Sequence, residues 1–308
     1  MKVLVGYTGF VGSNIYAAGR FDAVYNSKNI KEAYGTKPDL LVYAGLRAEK
    51  YLANNAPEKD MELIVQAEEN ISKIDPKKLV LISTIDVFKN PRDVDENSII
   101  DTVDLHPYGY NRYKLELWVR ENYPDALIIR LPGLFGKNIK KNFIYDLIAC
   151  FTLFMLKTEK MNELVKIDPE IQNDYVMQDN GFYKVKSLSD EAKSILKERF
   201  EKVGFSALNF TDSRNIYQFY NLGRLYEDIQ KALDLKITLW HPATEPVSAE
   251  ELYQYLTGNE FNNVLGGTPV TYNYKTVYDK EFGGKDGYIC TKEEVLISIK
   301  EFVDENSK

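Results

Sequence analysis

Tyr110 and Lys114, four residues apart, are the chain's first candidates for chemistry. On a helix this spacing projects both side chains from one face. A free phenol titrates at about pH 10 and is a poor base at neutrality, but a neighbouring ammonium favours the phenolate. Hydride transfer suits such a pair, with the tyrosine giving or taking the alcohol proton. Spacing alone selects nothing, because 22 tyrosines and 39 Lys+Arg supply such pairs by chance, and Tyr288 with Lys292 is another. Position separates them. Tyr110 falls between the fourth and fifth predicted strands, where a helix borders the ligand crevice of a parallel sheet, whereas Tyr288 lies in the terminal segment and is read as structural.

Ser83 and Thr84 close the fourth strand in LISTIDVF, at the same carboxyl edge. Thr84 is placed to hydrogen-bond the substrate oxygen whose proton Tyr110 handles. Gly6, Gly9 and Gly12, in GYTGFVG, follow the first strand and open the first helix. The first glycine permits a tight turn, the second lets backbone approach a pyrophosphate, and the third allows close packing while the helix N-terminus attracts the anion. A dinucleotide is the expected ligand. The usual acidic residue after the second strand is missing; Asn26, Ser27 and Lys28 stand there instead. With no carboxylate to repel a 2′-phosphate, and a serine and a lysine to hold one, NADP is favoured and NAD remains possible.

These residues need a scaffold, and the apolar pattern supplies one. Val3–Val5, Phe21–Tyr25, Asp39–Gly45, Lys78–Thr84 and Ala126–Leu131 read as strands. Helical periodicity falls between them, at Phe10–Ala18, in NIKEAYG, at Met61–Ile74 and at Tyr110–Asn122. Continuous apolar strands alternating with helices specify an α/β fold, a Rossmann-type doubly wound parallel sheet. After Gly136 the pattern changes to an apolar helix at Phe143–Leu156, a polar stretch, and a charged helix in SDEAKSILKERF. The division expected is a dinucleotide-binding domain of residues 1–135 with 222–247, and a smaller C-terminal substrate domain of 136–221 with 248–308.

Composition narrows the function classes. Among 308 residues, 39 are Lys+Arg and 46 Asp+Glu, for a net charge of −7, with 44% apolar residues and a mean hydropathy of −0.36. Nucleic acid and anionic membranes are therefore unexpected partners. Cys150 and Cys290 form neither a disulfide framework nor a metal motif, so a reducing cytoplasm is the expected location. The Phe143–Leu156 run is too short to span a bilayer about 30 Å thick. MKVLVGYTG lacks the apolar segment of a secretory leader. His106 and His241, each followed by proline, read as turn residues, and Trp118 and Trp240 as core.

Taken in order, GYTGFVG, LVYAG, LISTIDVF, HPYGYNRYKLE and RLPGLFG resemble the extended short-chain dehydrogenase/reductase family over residues 1–136. That family comprises NAD(P)-dependent epimerases, dehydratases and reductases of nucleotide sugars. Phe21–Gly35 and DVDENS resemble its dTDP-4-dehydrorhamnose reductase branch. The resemblance implies a triad of Thr84, Tyr110 and Lys114. It implies a pyrophosphate turn of Gly6, Gly9, Phe10, Val11 and Gly12, with Ala44, Gly45, Pro132, Gly133 and Leu134 also on the cofactor. Asp86 resembles the acidic position used by the family's dehydratases, but Ile85 occupies the second such position, which argues against standard dehydration. Phe88, Tyr113 and SRNIYQFYNLGRL also depart from the family pattern. Asn142 and Arg214 are candidate contacts for the nucleotide sugar's diphosphate, with Lys137, Lys140 and Lys141 beside them. A homodimer through the tyrosine-bearing helix, with Tyr113, Leu117 and Arg120 on its face, is a further implication. The alternative reading is a noncatalytic dinucleotide-binding regulatory or scaffold protein on the same fold.

Overall fold

Val3 and Leu4 are fully buried and Val5 nearly so, as a strand covered on both faces requires. In the computed structural model, which describes residues 1–149, 155–178 and 181–306, they belong to β1 (Lys2–Val5). The strands β2 (Ala23–Tyr25), β3 (Leu40–Tyr43), β4 (Leu79–Thr84), β5 (Leu127–Leu131) and β6 (Leu239–Trp240) join it. Every pairing in this six-stranded sheet is parallel, and the spatial order is β2-β1-β3-β4-β5-β6. The chain leaves β1 toward β2 and returns on the other side as β3. The order therefore reverses between β1 and β3, where open α/β sheets bind ligands.

Helices cover both faces. Ile15 of α1 (Phe10–Ala18) and Ile229 of α5 (Leu225–Asp234) pack with Leu4, Val42, Val80 and Ile129 on one face. Ile64 and Ile71 of α3 (Pro57–Ile74), with Leu115 and Val119 of α4 (Pro107–Asn122), pack with Val3, Leu41, Leu81 and Ile128 on the other. This is the expected doubly wound arrangement. The last strand of the sheet is only Leu239–Trp240, and NIKEAYG supplies only a 3-10 turn at Ile30–Ala33.

The chain divides into two compact units. The first holds Met1–Ile139, Ile216–Ser248 and Pro269–Phe302, and the second 140–215 and 249–268 with the chain end from residue 303. Where all of 248–308 was expected in a second domain, these compact units divide that stretch, with Pro269–Phe302 in the first. Backbone bonds draw 269–302 into the first unit: Ile216 N–H donates to Val270 O, Asp93 N–H to Asn273 O, and Lys275 N–H to Val94 O. Such pairing joins segments far apart in sequence and leaves no local signal.

The second unit has its own three-stranded antiparallel sheet, with Phe182–Val185 between Met155–Lys157 and Tyr175–Met177. Leu156, Met161, Leu164, Ile171, Leu196 and Phe200 form its core. The charged helix runs over Asp190–Lys202, capped by Ser189. The apolar run from Phe143 is helical over Phe143–Ala149, residues 150–154, with Cys150, lie outside the described residues, and Met155 and Leu156, expected in the same helix, are in a strand. Among the described residues no helix is long and apolar enough to cross a membrane, and no cluster of His, Cys, Asp or Glu could hold a metal ion.

Candidate active site

The glycine turn is built as its spacing requires. Gly6 has φ +93°, and a side chain there would bring Cβ to 2.3 Å from the Ala44 carbonyl oxygen; at Gly12, Cβ would lie 2.1 Å from the Gly6 oxygen. Gly6 N–H donates to Tyr25 O, locking the turn onto β2, and Gly9 caps α1 without a side chain. The first amides of α1 therefore face outward at the strand-order reversal, beside Ala44 and Gly45 at the end of β3. A cradle that excludes side chains at a helix N-terminus fits a pyrophosphate. Phe10 and Val11 begin the helix. The buried Asn14 steadies it by donating to Lys137 O and accepting from Lys137 N–H. At the end of β2, Asn26 Oδ1 accepts from Lys28 N–H in a tight turn, and Ser27 and Lys28 are exposed. Pro132 separates β5 from the Gly133–Phe135 strand, which carries Leu134.

Of the three expected catalytic residues, the structure brings two together. Tyr110 and Lys114 do lie together, the ammonium 5.2 Å from the ring centre, but Lys114 is exposed. No hydrogen bond joins either to Thr84 among the described residues. The tyrosine whose phenol the Thr84 hydroxyl influences is instead the buried Tyr108. The reason is helical geometry. The buried positions of α4 are Tyr108, Asn111, Arg112, Leu115, Glu116 and Val119. Two residues turn an α-helix by about 200°, so Tyr110 and Lys114 sit on the face turned away from this stripe.

Three devices seat Tyr108. Pro107 starts α4 and His106 caps it, its ring nitrogen accepting from Gly109 N–H at 3.0 Å. Asn54 accepts from Tyr108 N–H at 3.0 Å. Gly109 lets the helix approach the strand end, because a Cβ there would lie 2.0 Å from the Asp86 carbonyl oxygen. Farther along, the fully buried Glu116 clamps α4 to the sheet. Its carboxylate accepts from Ser83 Oγ at 2.5 Å and from two nitrogens of Arg130, with Nη2 at 2.6 Å. Ser83 and Arg130 are register partners on β4 and β5, so one carboxylate ties both strands.

Arg112, one turn after Tyr108, completes a second pair at the expected spacing. Its guanidinium carbon is 3.9 Å from the Tyr108 ring centre, and its nitrogens donate to Asp60 and to Arg47 O. Asn111 also donates to Asp60, at 2.8 Å. Burial raises the pKa of Tyr108; Arg112 and the Thr84 hydroxyl act against it, and the Asp86 and Asp60 charges act with it. The phenol is thus protonated at neutrality and placed to donate a proton.

Asp86 lies beside this group. Its N–H donates to Thr84 Oγ1 at 3.2 Å, one carboxylate oxygen takes Lys50 at 3.0 Å and the other takes the Tyr272 hydroxyl at 2.9 Å. Asn142 and Arg214 belong to the second unit. Asn142 accepts from Tyr145 N–H at a helix start, and Arg214 is held bidentately by Asp212 at 2.8 and 2.7 Å, which neutralises its charge. His241 is corrected from turn residue to core: fully buried, it lies 3.3 Å from both Arg130 and Lys275 O. Tyr288 is structural, its hydroxyl donating to Asn273.

The sequence carried a signal for Tyr108. Pro107 favours the first helical position, which would have started α4 three residues earlier and put Tyr108 and Arg112 at the same spacing as the pair chosen. A helix begun at Tyr110 leaves Tyr108 in a loop.

No family model and no curated protein matches the chain. Solved structures do match. A dTDP-4-dehydrorhamnose reductase from Yersinia enterocolitica is 13% identical, covers 100% of this chain and 99% of its own, and superposes with a TM-score of 0.65. A dTDP-4-dehydrorhamnose reductase from Bacillus anthracis, in complex with NADP, is 15% identical over 99% of this chain and 98% of its own, with a TM-score of 0.61. A UDP-N-acetylglucosamine 4-epimerase from Methanobrevibacter ruminantium, in complex with UDP-N-acetylmuramic acid, is 12% identical over 98% of this chain and 96% of its own, with a TM-score of 0.63. The Rossmann-type fold of nucleotide-sugar reductases and epimerases is therefore shared along the whole chain.

Proposed function

We propose that this chain is an NAD(P)-dependent oxidoreductase that reduces a carbonyl group on a nucleotide-linked sugar, with NADP preferred. The carrying observation is the buried Tyr108 phenol, under the influence of the Thr84 hydroxyl and with the Arg112 guanidinium 3.9 Å from its ring centre, at the carboxyl edge of β4, in the same sheet whose β1 turn has the shape of a pyrophosphate cradle. In solved structures of this fold the bound molecules include NADP, NADPH, and NAD with UDP. Gly6, Gly9, Phe10, Val11 and Gly12 would hold the pyrophosphate, Ser27 and Lys28 the 2′-phosphate, and Ala44, Gly45, Pro132, Gly133 and Leu134 the flanks. When bound, the nicotinamide supplies or accepts a hydride.

The chain's own residues supply the rest. Thr84 orients the substrate oxygen, Tyr108 donates its proton to that oxygen, and Arg112 offsets the negative charge left on the phenol. A protonated Tyr108 favours reduction over oxidation as the starting direction. Arg112 is a guanidinium pinned by Asp60, so it acts as a fixed charge rather than a relay. That pinning also favours a second reading, dinucleotide binding without turnover, since its donors toward Asp60 and Arg47 O are committed.

The test is calorimetric titration with NADPH and NADH, followed by nicotinamide turnover with keto-sugar nucleotides. NADPH should bind more tightly and turnover should vanish in Tyr108→Phe without loss of cofactor binding. Failure to bind either nicotinamide overturns the function, and cofactor binding with no turnover across the sugar nucleotides selects the second reading.

A further inference from the structure

Next to Thr84 and Tyr108 the first unit has a cavity of about 250 Å³. This is below the roughly 300–1,000 Å³ of pockets that enclose whole drug-sized ligands, so it has room for one substituted sugar ring rather than a nucleotide sugar. Its wall includes Lys50, Asp86, Lys89, Arg92, His106 and Tyr272. Three of these are cations and one is a carboxylate, in a chain whose net charge is −7.

The single carboxylate is already used. Lys50 and the Tyr272 hydroxyl occupy its two oxygens. Lys89 is only loosely matched, donating to Val103 O at 3.4 Å and lying 3.6 Å from a largely exposed Asp104, a kind of ion pair that contributes little. Among the described residues the Arg92 guanidinium has no hydrogen-bond or ionic partner. His106 Nδ1 accepts from Gly109 N–H, so the neutral ring carries its proton on Nε2 and has a donor to spare. The wall thus has surplus donors and surplus positive charge, with no open acceptor of matching strength.

Resting on the proposed function, we infer that the sugar acted on carries a carboxylate, which Arg92 and Lys89 bind with His106 donating beside them. The alternative anion, the diphosphate of the nucleotide, fits less well. This wall adjoins the reacting group: the centres of the His106 and Tyr108 rings are 6.3 Å apart, and Asp86 N–H bonds Thr84. Groups that close to the reacting atom meet the hexose's own substituents.

The test compares matched probes with the NADPH-loaded protein by calorimetry, UDP-glucuronate against UDP-glucose and dTDP-glucuronate against dTDP-glucose. Both members of each pair carry the same diphosphate, so their ratio reports the sugar carboxylate alone. The acidic member should bind roughly tenfold to a hundredfold more tightly, as for charge-assisted hydrogen bonds. Arg92→Gln, and with it Lys89→Gln, should bring that ratio toward one with NADPH affinity unchanged. Equal affinity within each pair, a ratio unmoved by the double substitution, or no binding by any of the four probes overturns the inference. Loss of NADPH binding in the unaltered protein would instead overturn the underlying function.

Discussion

The Arg112 guanidinium carbon lies 3.9 Å from the centre of the Tyr108 ring, and both side chains are more than nine-tenths buried. Cation and phenol therefore meet away from solvent, where charge acts more strongly than at the surface. Asp60 and the Arg47 carbonyl keep the cation there. The exposed Lys114 over Tyr110 offers the same residue types without that enclosure.

Tyr108→Phe should lower turnover by about 10²- to 10⁴-fold, the usual loss on removing a general acid or base, and leave cofactor affinity nearly intact. Tyr110→Phe should stay near the parent value. Comparing kcat for the two variants with NADPH checks this, and equal losses would return the role to Tyr110.

Gly109→Ala should disturb both stability and turnover. The new Cβ would meet the Asp86 carbonyl oxygen at 2.0 Å, a backbone atom that cannot swing away. A cost of about 1–3 kcal/mol is expected for such overpacking. At Gly266, where nothing lies within 4 Å of a built Cβ, Ala should change little. Urea unfolding of both variants measures the contrast.

Glu116→Ala leaves Arg130 buried and unpaired, and should cost about 3–5 kcal/mol. Replacing both partners by methionine removes the charges together and should recover most of that loss. The urea midpoints of the single and double variants decide whether the clamp acts as a pair.

His241 gives stability a pH dependence of known sign. Burial, reinforced by Arg130, lowers its pKa from 6.5 to about 3. Between those values the unfolded chain binds a proton that the folded chain refuses. Its contribution is therefore whole above pH 6.5 and lost as pH falls toward 3, by up to about 1.4 kcal/mol per pH unit. Urea unfolding at pH 7 and pH 4.5 should show a smaller acid loss for His241→Gln than for the parent. Parallel losses would mean that other groups carry the dependence.

If Ser27 and Lys28 hold a 2′-phosphate, Lys28→Ala should weaken NADPH by about 1–3 kcal/mol and hardly alter NADH. Calorimetry with both cofactors measures it. Equal weakening of the two would place the ribose contact elsewhere, for instance on the backbone of Asn26.

Much of the scaffold was legible in the chain itself, for local reasons. Runs such as Leu40–Tyr43 and Leu127–Leu131 are apolar throughout because both faces of the sheet are covered, and each buried residue records that fact in its own type. Gly6 and Gly12 record the turn in the same way, since no side chain fits at either position. What spacing could not decide was which tyrosine faces the end of β4. That depends on where α4 begins and on which stripe packs inward, and a shift of two residues rotates the answer to the opposite side of the helix. The partners of Glu116 and the return of 269–302 to the first unit were equally hidden. Each joins residues whose proximity exists only once the chain has folded, so neither composition nor periodicity contains them.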